Sequence, residues 1–229
     1  MIEQENNRRA IEAIAIGLKE LKDSTIFVGG AVVSLYADDP LTSDIRATED
    51  IDLTIKVKHF SEFVLLNEKL LSQKFNPDPK SKSIVRYIYN GIPVDVIPNG
   101  AEIAVTGTNK WYSYGYNDIR KIRVNSQEIQ IFSSAVFIAT KFEAFNSRGK
   151  DYRTSHDIED ILNVLQNSSV IVNEISKAHK DVQAFIKQEL SRMISLPSSE
   201  EILSANIDRL LLTEALPMLK ATIKQIIED

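Results

Sequence analysis

Hydrophobic residues in this chain change their period once, near residue 133, and that switch constrains the fold more than any other feature of the sequence. Ahead of it, short apolar runs are punctuated by Gly-Gly, Asp-Pro and Asn-Gly. Behind it, apolar residues recur every three to four positions over 134–147, 155–167, 171–195 and 199–227. A period of two places side chains on the faces of strands, and a period near 3.6 places them on one stripe of a helix. The expectation is therefore an α/β (α+β) chain, with a small mixed sheet flanked by helices in 1–133 and an all-helical region in 134–229.

Within the front part, Ile11, Ile14, Ala15, Leu18 and Leu21 predict an amphipathic helix over 5–22. Ile26 to Val28 reads as a strand stopped by Gly29-Gly30, and residues 31–36 as a helix ending before Asp38-Asp39-Pro40. Asp50 to Val57 alternates, with Ile51, Leu53, Ile55 and Val57 on one face and Asp50, Asp52, Thr54 and Lys56 on the other. A helix carrying Phe60, Phe63, Val64, Leu66, Leu70 and Leu71 follows. The runs 84–89 and 92–97 flank Asn90-Gly91, which predicts a two-residue hairpin, and a second hairpin is expected over 119–132. In the back part, Ser198 and Glu201 have the spacing of a capping box.

Composition narrows the function classes. With no cysteine and only His59, His156 and His179, the chain has no disulfide framework or thiolate metal site and little material for a zinc centre. A reducing compartment fits this. The 27 basic and 32 acidic side chains give a net charge of -5, so contact with nucleic acid has to be local rather than driven by a long-range field. No stretch approaches the ~20 apolar residues of a membrane span, and the expectation is a cytoplasmic chain without a membrane partner.

The residues that carry chemistry are acidic. Asp50 and Asp52, two apart in a predicted strand, send both carboxylates from one face. That face is either the wet side of an edge strand or one wall of a site. Asp95 shares its face with Pro93 and Ile97, and Asp is a poor strand former, so something must compensate its carboxylate. If its strand lies beside that of Asp50 and Asp52, three like charges gather, and bound divalent cations or raised pKa values make the cluster tolerable. Mg²⁺ is the natural match for such oxygen donors, and carboxylate-held Mg²⁺ points to phosphoryl or nucleotidyl transfer. Gly29-Gly30, at a helix N-terminus, is either a plain tight turn or a cradle of backbone N–H groups for phosphate. It fits neither the dinucleotide fingerprint nor the P-loop. Trp111, Tyr112, Tyr114 and Tyr116 form an aromatic loop suited to core packing or to stacking on a base. Lys141, Arg148, Lys150 and Arg153 concentrate positive charge.

In their order, the stretch Val28 to Val32 (VGGAV), then Arg46-x-Thr48-x-Asp50-Ile51-Asp52-Leu53, then Val94-Asp95-Val96 resemble the nucleotidyltransferase fold of the polymerase-beta superfamily. The later segments Ala139-Thr140-Lys141-x-Glu143-Ala144-Phe145, Arg148-Gly149 and Ser155 to Ile161 (SHDIEDI) are similar to nucleotidyltransferases of the AbiEii type, many of them toxins paired with antitoxins. The resemblance implies that Gly29, Gly30, Arg46 and Thr48 handle the triphosphate. It implies that Asp50 and Asp52 hold Mg²⁺, two ions being expected. Asp95 would complete the site as a third ligand or as general base.

Lys141 matches a helix lysine on the nucleotide phosphates and Asp157 the acidic residue after it, which would put the active site in a cleft completed by the helical region. Read without the resemblance, Lys141 is a solvated charge and Asp157 with Asp160 an exposed pair. The glycine pair departs from the Gly-Ser of classical superfamily members and so lacks a hydroxyl for phosphate. His156-Asp157 is also the dipeptide of metal-dependent phosphohydrolases, although the chain has too few histidines for that site. The function expected is transfer of a nucleoside monophosphate from an NTP to an acceptor hydroxyl, on RNA such as tRNA first and on protein second. The alternatives are an aminoglycoside-like acceptor, or a non-catalytic nucleotide- or partner-binding protein on the same fold.

Overall fold

The computed structural model describes residues 2–38, 46, 48–100, 109–149 and 151–229, with the side chains of 2–4 set aside. The chain divides into two compact units, one made of Met1–Leu35 and Asp44–Phe132, the other of Tyr36–Ser43 and Ser133–Asp229.

In the first unit, α1 (Ile2–Leu18) runs into a 3-10 helix (Lys19–Ser24), β1 (Thr25–Val28) and a second 3-10 helix (Gly30–Tyr36). There follow β2 (Ile51–Lys56), α2 (Phe60–Ser72), β3 (Asn76–Pro77), β4 (Arg86–Tyr89), β5 (Ile92–Asn99), the single turn α3 (Tyr112–Gly115), β6 (Ile119–Val124) and β7 (Gln127–Phe132). The strands form one mixed sheet in the order β3-β4-β5-β2-β1-β7-β6. Strand β2 runs parallel to β5 and antiparallel to β1, and β1 runs parallel to β7. The two hairpins are β4-β5 and β6-β7. In the first, Asn90 (φ 49°) and Gly91 (φ 82°) both take the positive φ that a type I′ turn requires.

Alternation in β2 has the expected result on one face, where Ile51, Leu53 and Ile55 are buried. On the other face Thr54 is also fully buried, because β2 sits between β5 and β1 and is covered there. Its hydroxyl is satisfied by donating to the Ile97 carbonyl (3.0 Å) and meeting the Tyr116 hydroxyl (2.9 Å). The edge-strand reading of Asp50 and Asp52 is thereby excluded. Asp50 itself lies in a bend just ahead of β2 rather than within it.

The second unit is helical: α4 (Ser134–Arg148), α5 (His156–Asn167), α6 (Ile171–Lys177), α7 (Lys180–Ile194), α8 (Ser199–Ser204) and α9 (Leu212–Glu228). Two expected long helices are each broken. At His179 the backbone turns extended and the ring Nδ1 accepts from the Asp181 N–H (3.2 Å), starting a new helix. Between α8 and α9, the Asp208 carboxylate accepts from the Leu210 N–H (2.8 Å), a local turn that competes with helix. The Ser198 capping box does not form, and Glu201 instead faces Arg153 (3.5 Å). No helix among the described residues is long and apolar enough to cross a membrane.

Candidate active site

Register assembles the site in the first unit. Val28 pairs with Asp52 across β1-β2, Asp52 with Asp95 across β2-β5, and Asp95 with Arg86 across β5-β4. Directly paired residues project to the same face of a sheet, so Asp52, Asp95 and Arg86 stand in one row. Asp50 joins from the bend before β2. One carboxylate oxygen from each of Asp50, Asp52 and Asp95 lies within 4.8 Å of the others.

The glycine turn is built against this cluster. Gly29 has φ +76°, and a Cβ placed on it would stand 1.9 Å from Asp52 Oδ2. A side chain there is thus excluded by backbone conformation and by the carboxylate together. A Cβ on Gly30 would meet the Arg46 guanidinium at 2.8 Å and the Thr48 methyl at 2.9 Å. Gly29, Gly30, Arg46 and Thr48 are accordingly neighbours of the acidic row. The buried Asn7 of α1 fastens the Arg46 and Thr48 segment: its Oδ1 accepts from the Thr48 N–H and hydroxyl (3.2 Å each), and its Nδ2 donates to the Arg46 carbonyl (3.3 Å). The segment Gly30–Tyr36 is a 3-10 rather than an α-helix.

Arg86 was not anticipated as part of the site. Its Nε donates to Asp95 Oδ1 and its terminal NH2 group to Asp95 Oδ2, both at 2.7 Å, while the same NH2 group donates to Asp50 Oδ2 at 2.5 Å. The hydrogen bonds to Asp95, outweighing burial and aided by the charges of Asp95 and Asp50, push the guanidinium pKa further upward. The compensation that Asp95 needed thus comes in part from the protein.

The donor set suits a hard divalent cation: three carboxylates, no sulfur or imidazole, one wall kept open by a glycine, and a cation already drawn in among the carboxylates. Asp50, Asp52 and Asp95 are the residues that could hold such an ion.

In the second unit, Lys141 on α4 and Asp157 and Asp160 on α5 are buried. Lys141 Nζ lies 2.6 Å from Asp160 Oδ2 and 3.3 Å from Asp157 Oδ1, and 5.7 Å from the Phe137 ring centroid. The largely exposed Arg148 forks Asp157 through Nε (3.0 Å) and NH2 (2.9 Å). Burial pushes the Asp157 carboxyl upward, but the Arg148 hydrogen bonds and the Lys141 charge overcome this and hold it below the usual carboxylate range. The solvated readings of Lys141 and of the Asp157–Asp160 pair are therefore excluded.

The concentration of positive charge is also largely neutralised, since Lys141 and Arg148 face these acids and Arg153 pairs with Asp151 and Glu201; Lys150 lies outside the described residues. His156 is exposed and meets Glu159 (2.9 Å) instead of joining Asp157. Among the described residues the acidic trio of the first unit is the group arranged for a metal. The aromatic loop packs inward: Trp111 and Tyr112 are buried, and Tyr112 and Tyr116 pack on Phe132. Burial, partly offset by the Thr54 hydrogen bond, pushes the Tyr116 phenol up to about 12.

No curated protein matches the chain. Among the solved structures that resemble it are an antigenic nucleotidyltransferase-like protein from Paracoccidioides brasiliensis (17% identity, 91% of this chain and 96% of that one, TM-score 0.48) and the antibiotic-resistance factor ANT(2'')-Ia (14% identity, 84% and 95%, TM-score 0.51). The second likeness supports a shared fold. The sequence model of the family described as "Nucleotidyl transferase AbiEii toxin, Type IV TA system" matches residues 13–229. That match takes in the glycine turn, the acidic row and the Lys141–Asp157 cluster alike, so the chain belongs to the AbiEii nucleotidyl transferase family and is a nucleotidyltransferase.

Proposed function

We propose that this enzyme moves a nucleoside monophosphate from an NTP to an acceptor hydroxyl in a Mg²⁺-dependent reaction. The acceptor hydroxyl oxygen bonds to the α-phosphorus and gives up its proton to solvent, the bond from that phosphorus to the bridging oxygen breaks, and pyrophosphate leaves. The observation that carries this reading is the convergence of Asp50, Asp52 and Asp95 within 4.8 Å beside a turn where a side chain would strike Asp52. These three carboxylates would hold the metal, which supplies charge stabilisation at the attacking and leaving oxygens. The Gly29-Gly30 turn, with Arg46 and Thr48, would receive the triphosphate through backbone N–H groups and a guanidinium fork.

Lys141 and Asp157 belong to the proposal in the roles that family resemblance gives them, Lys141 toward the phosphates and Asp157 as its orienting partner. Within the second unit the Lys141 amine contacts Asp157 (3.3 Å) and, more closely, Asp160 (2.6 Å). RNA, tRNA above all, is the acceptor favoured, and protein the second choice. Toxicity and an antitoxin that relieves it belong to the same family reading, and a cytoplasmic setting is proposed alongside it from the composition of the chain. The non-catalytic alternative is disfavoured because all three carboxylates are present and gathered.

The experiment is incubation of the full chain with Mg²⁺ and each of the four NTPs labelled at the α-phosphate, with total RNA, total protein or aminoglycosides offered separately. Label on RNA that is lost on chelation supports the proposal. Label on protein or aminoglycoside alone replaces the acceptor, and no transfer with any acceptor favours the binding-protein alternative.

A further inference from the structure

The row of residues across the sheet contains one cation of its own, and its position gives it a role. Arg86 stands opposite Asp95 in the β4-β5 hairpin, on the side of β5 away from Asp52. Its NH2 group reaches past Asp95 to Asp50 Oδ2 at 2.5 Å, so a single nitrogen is shared between two of the three carboxylates that would hold metal. Bidentate pairing to Asp95 fixes the plane of the guanidinium, and the contact with Asp50 is the single, detachable one.

A metal ion drawing on Asp50 and Asp95 needs the same oxygens and the same space. Guanidinium keeps its charge at any working pH, so it cannot yield by deprotonating; it has to move. The side chain is 30% exposed, which leaves it room to do so.

We propose that Arg86 is the resident counter-cation of the acidic row, competing with divalent metal for Asp50 and Asp95, so that full metal loading requires the guanidinium to release Asp50. Resting on the metal-dependent reading above, this makes Arg86 a positioning residue with two effects. It holds Asp50 and Asp95 together in the metal-free protein, and it lowers apparent metal affinity by the fraction of time it occupies the shared oxygens. A purely structural ion pair would do only the first.

The test is titration of the full chain with Mn²⁺ alone, following free Mn²⁺ by electron paramagnetic resonance, in wild type, Arg86→Met, Arg86→Lys and Asp52→Asn. Arg86→Met is expected to bind Mn²⁺ at least tenfold more tightly than wild type, and to melt lower without metal while gaining more from saturating Mn²⁺. Arg86→Lys, which keeps charge without the fork, should fall between the two and decides the matter if Arg86→Met does not fold. Equal or weaker Mn²⁺ binding in the Arg86 variants, with wild-type binding that Asp52→Asn abolishes, overturns the competition and leaves the metal site standing. Absence of Mn²⁺ binding in wild type and every variant overturns the metal reading and the competition with it.

Discussion

The Arg86 guanidinium grips Asp95 through two parallel hydrogen bonds, Nε to Oδ1 and NH2 to Oδ2, each 2.7 Å long, across directly paired positions of one hairpin. Truncating either partner leaves the other charge half-buried without its fork. Asp95→Ala is expected to destabilise the fold by about 1 to 2 kcal/mol, less than a fully buried pair because Arg86 retains Asp50 and some solvent. Denaturant unfolding checks this, and an Asp95→Ala variant as stable as wild type would show the fork to be energetically idle.

Two glycines offer a matched comparison. Gly29 and Gly91 both have positive φ, but a Cβ on Gly29 collides with Asp52 whereas one on Gly91 meets nothing within 4 Å. Each change to Ala should cost about 1 to 2 kcal/mol of backbone strain. Only Gly29→Ala should also lose activity, on the order of 10²-fold, by displacing the Asp52 carboxylate. Equal activities in the two variants would contradict the placement of Asp52 against the turn.

Lys141 sits among groups that cannot be left behind cheaply. Lys141→Ala would take a buried cation from beside Asp160 and weaken the hold on Asp157, at about 3 to 5 kcal/mol. The double variant Lys141→Leu, Asp160→Leu should recover much of that loss. Thermal unfolding of the single and double variants distinguishes this from a surface lysine, whose removal would cost under about 0.5 kcal/mol.

The same cluster carries a pH dependence. The folded-state pKa of Asp157 is depressed, so its contribution to stability is present above the unfolded carboxyl value of about 3.9 and is lost as pH falls through the lower folded value. Melting temperature measured downward from pH 5 should drop more steeply for wild type than for Asp157→Asn. Parallel curves would mean that Asp157 titrates alike in both states.

Much of this arrangement could be read from residue order. Alternation over Asp50 to Val57, the Asn-Gly hairpin and the misfit of Asp95 on an apolar face led to three gathered carboxylates, and the glycine turn was found by its own residues. Arg86 was legible too, because a two-residue turn at Asn90-Gly91 fixes the pairing of 89 with 92 and so of 86 with 95. Other features had no signal. Every residue of α4 from Ser134 to Phe142 is buried, so periodicity could not tell that Lys141 points inward. Thr54 is an apolar-environment residue on a face that alternation labels wet, because strand order, which no single strand reveals, covers it with Tyr116. The breaks at His179 and Asp208 depend on single side-chain bonds that compete with an otherwise helical pattern.

The central claim is that the acidic row performs metal-dependent nucleotidyl transfer. The most direct measurement is transfer of α-phosphate label from NTP to total RNA with Mg²⁺, by wild type and by Asp52→Asn, with unfolding curves recorded on the same preparations. The account predicts transfer by wild type, a loss of at least about 10²-fold in the variant, and equal or greater stability of the variant without metal, since one of three repelling charges is removed. Undiminished transfer by a folded Asp52→Asn protein would contradict it.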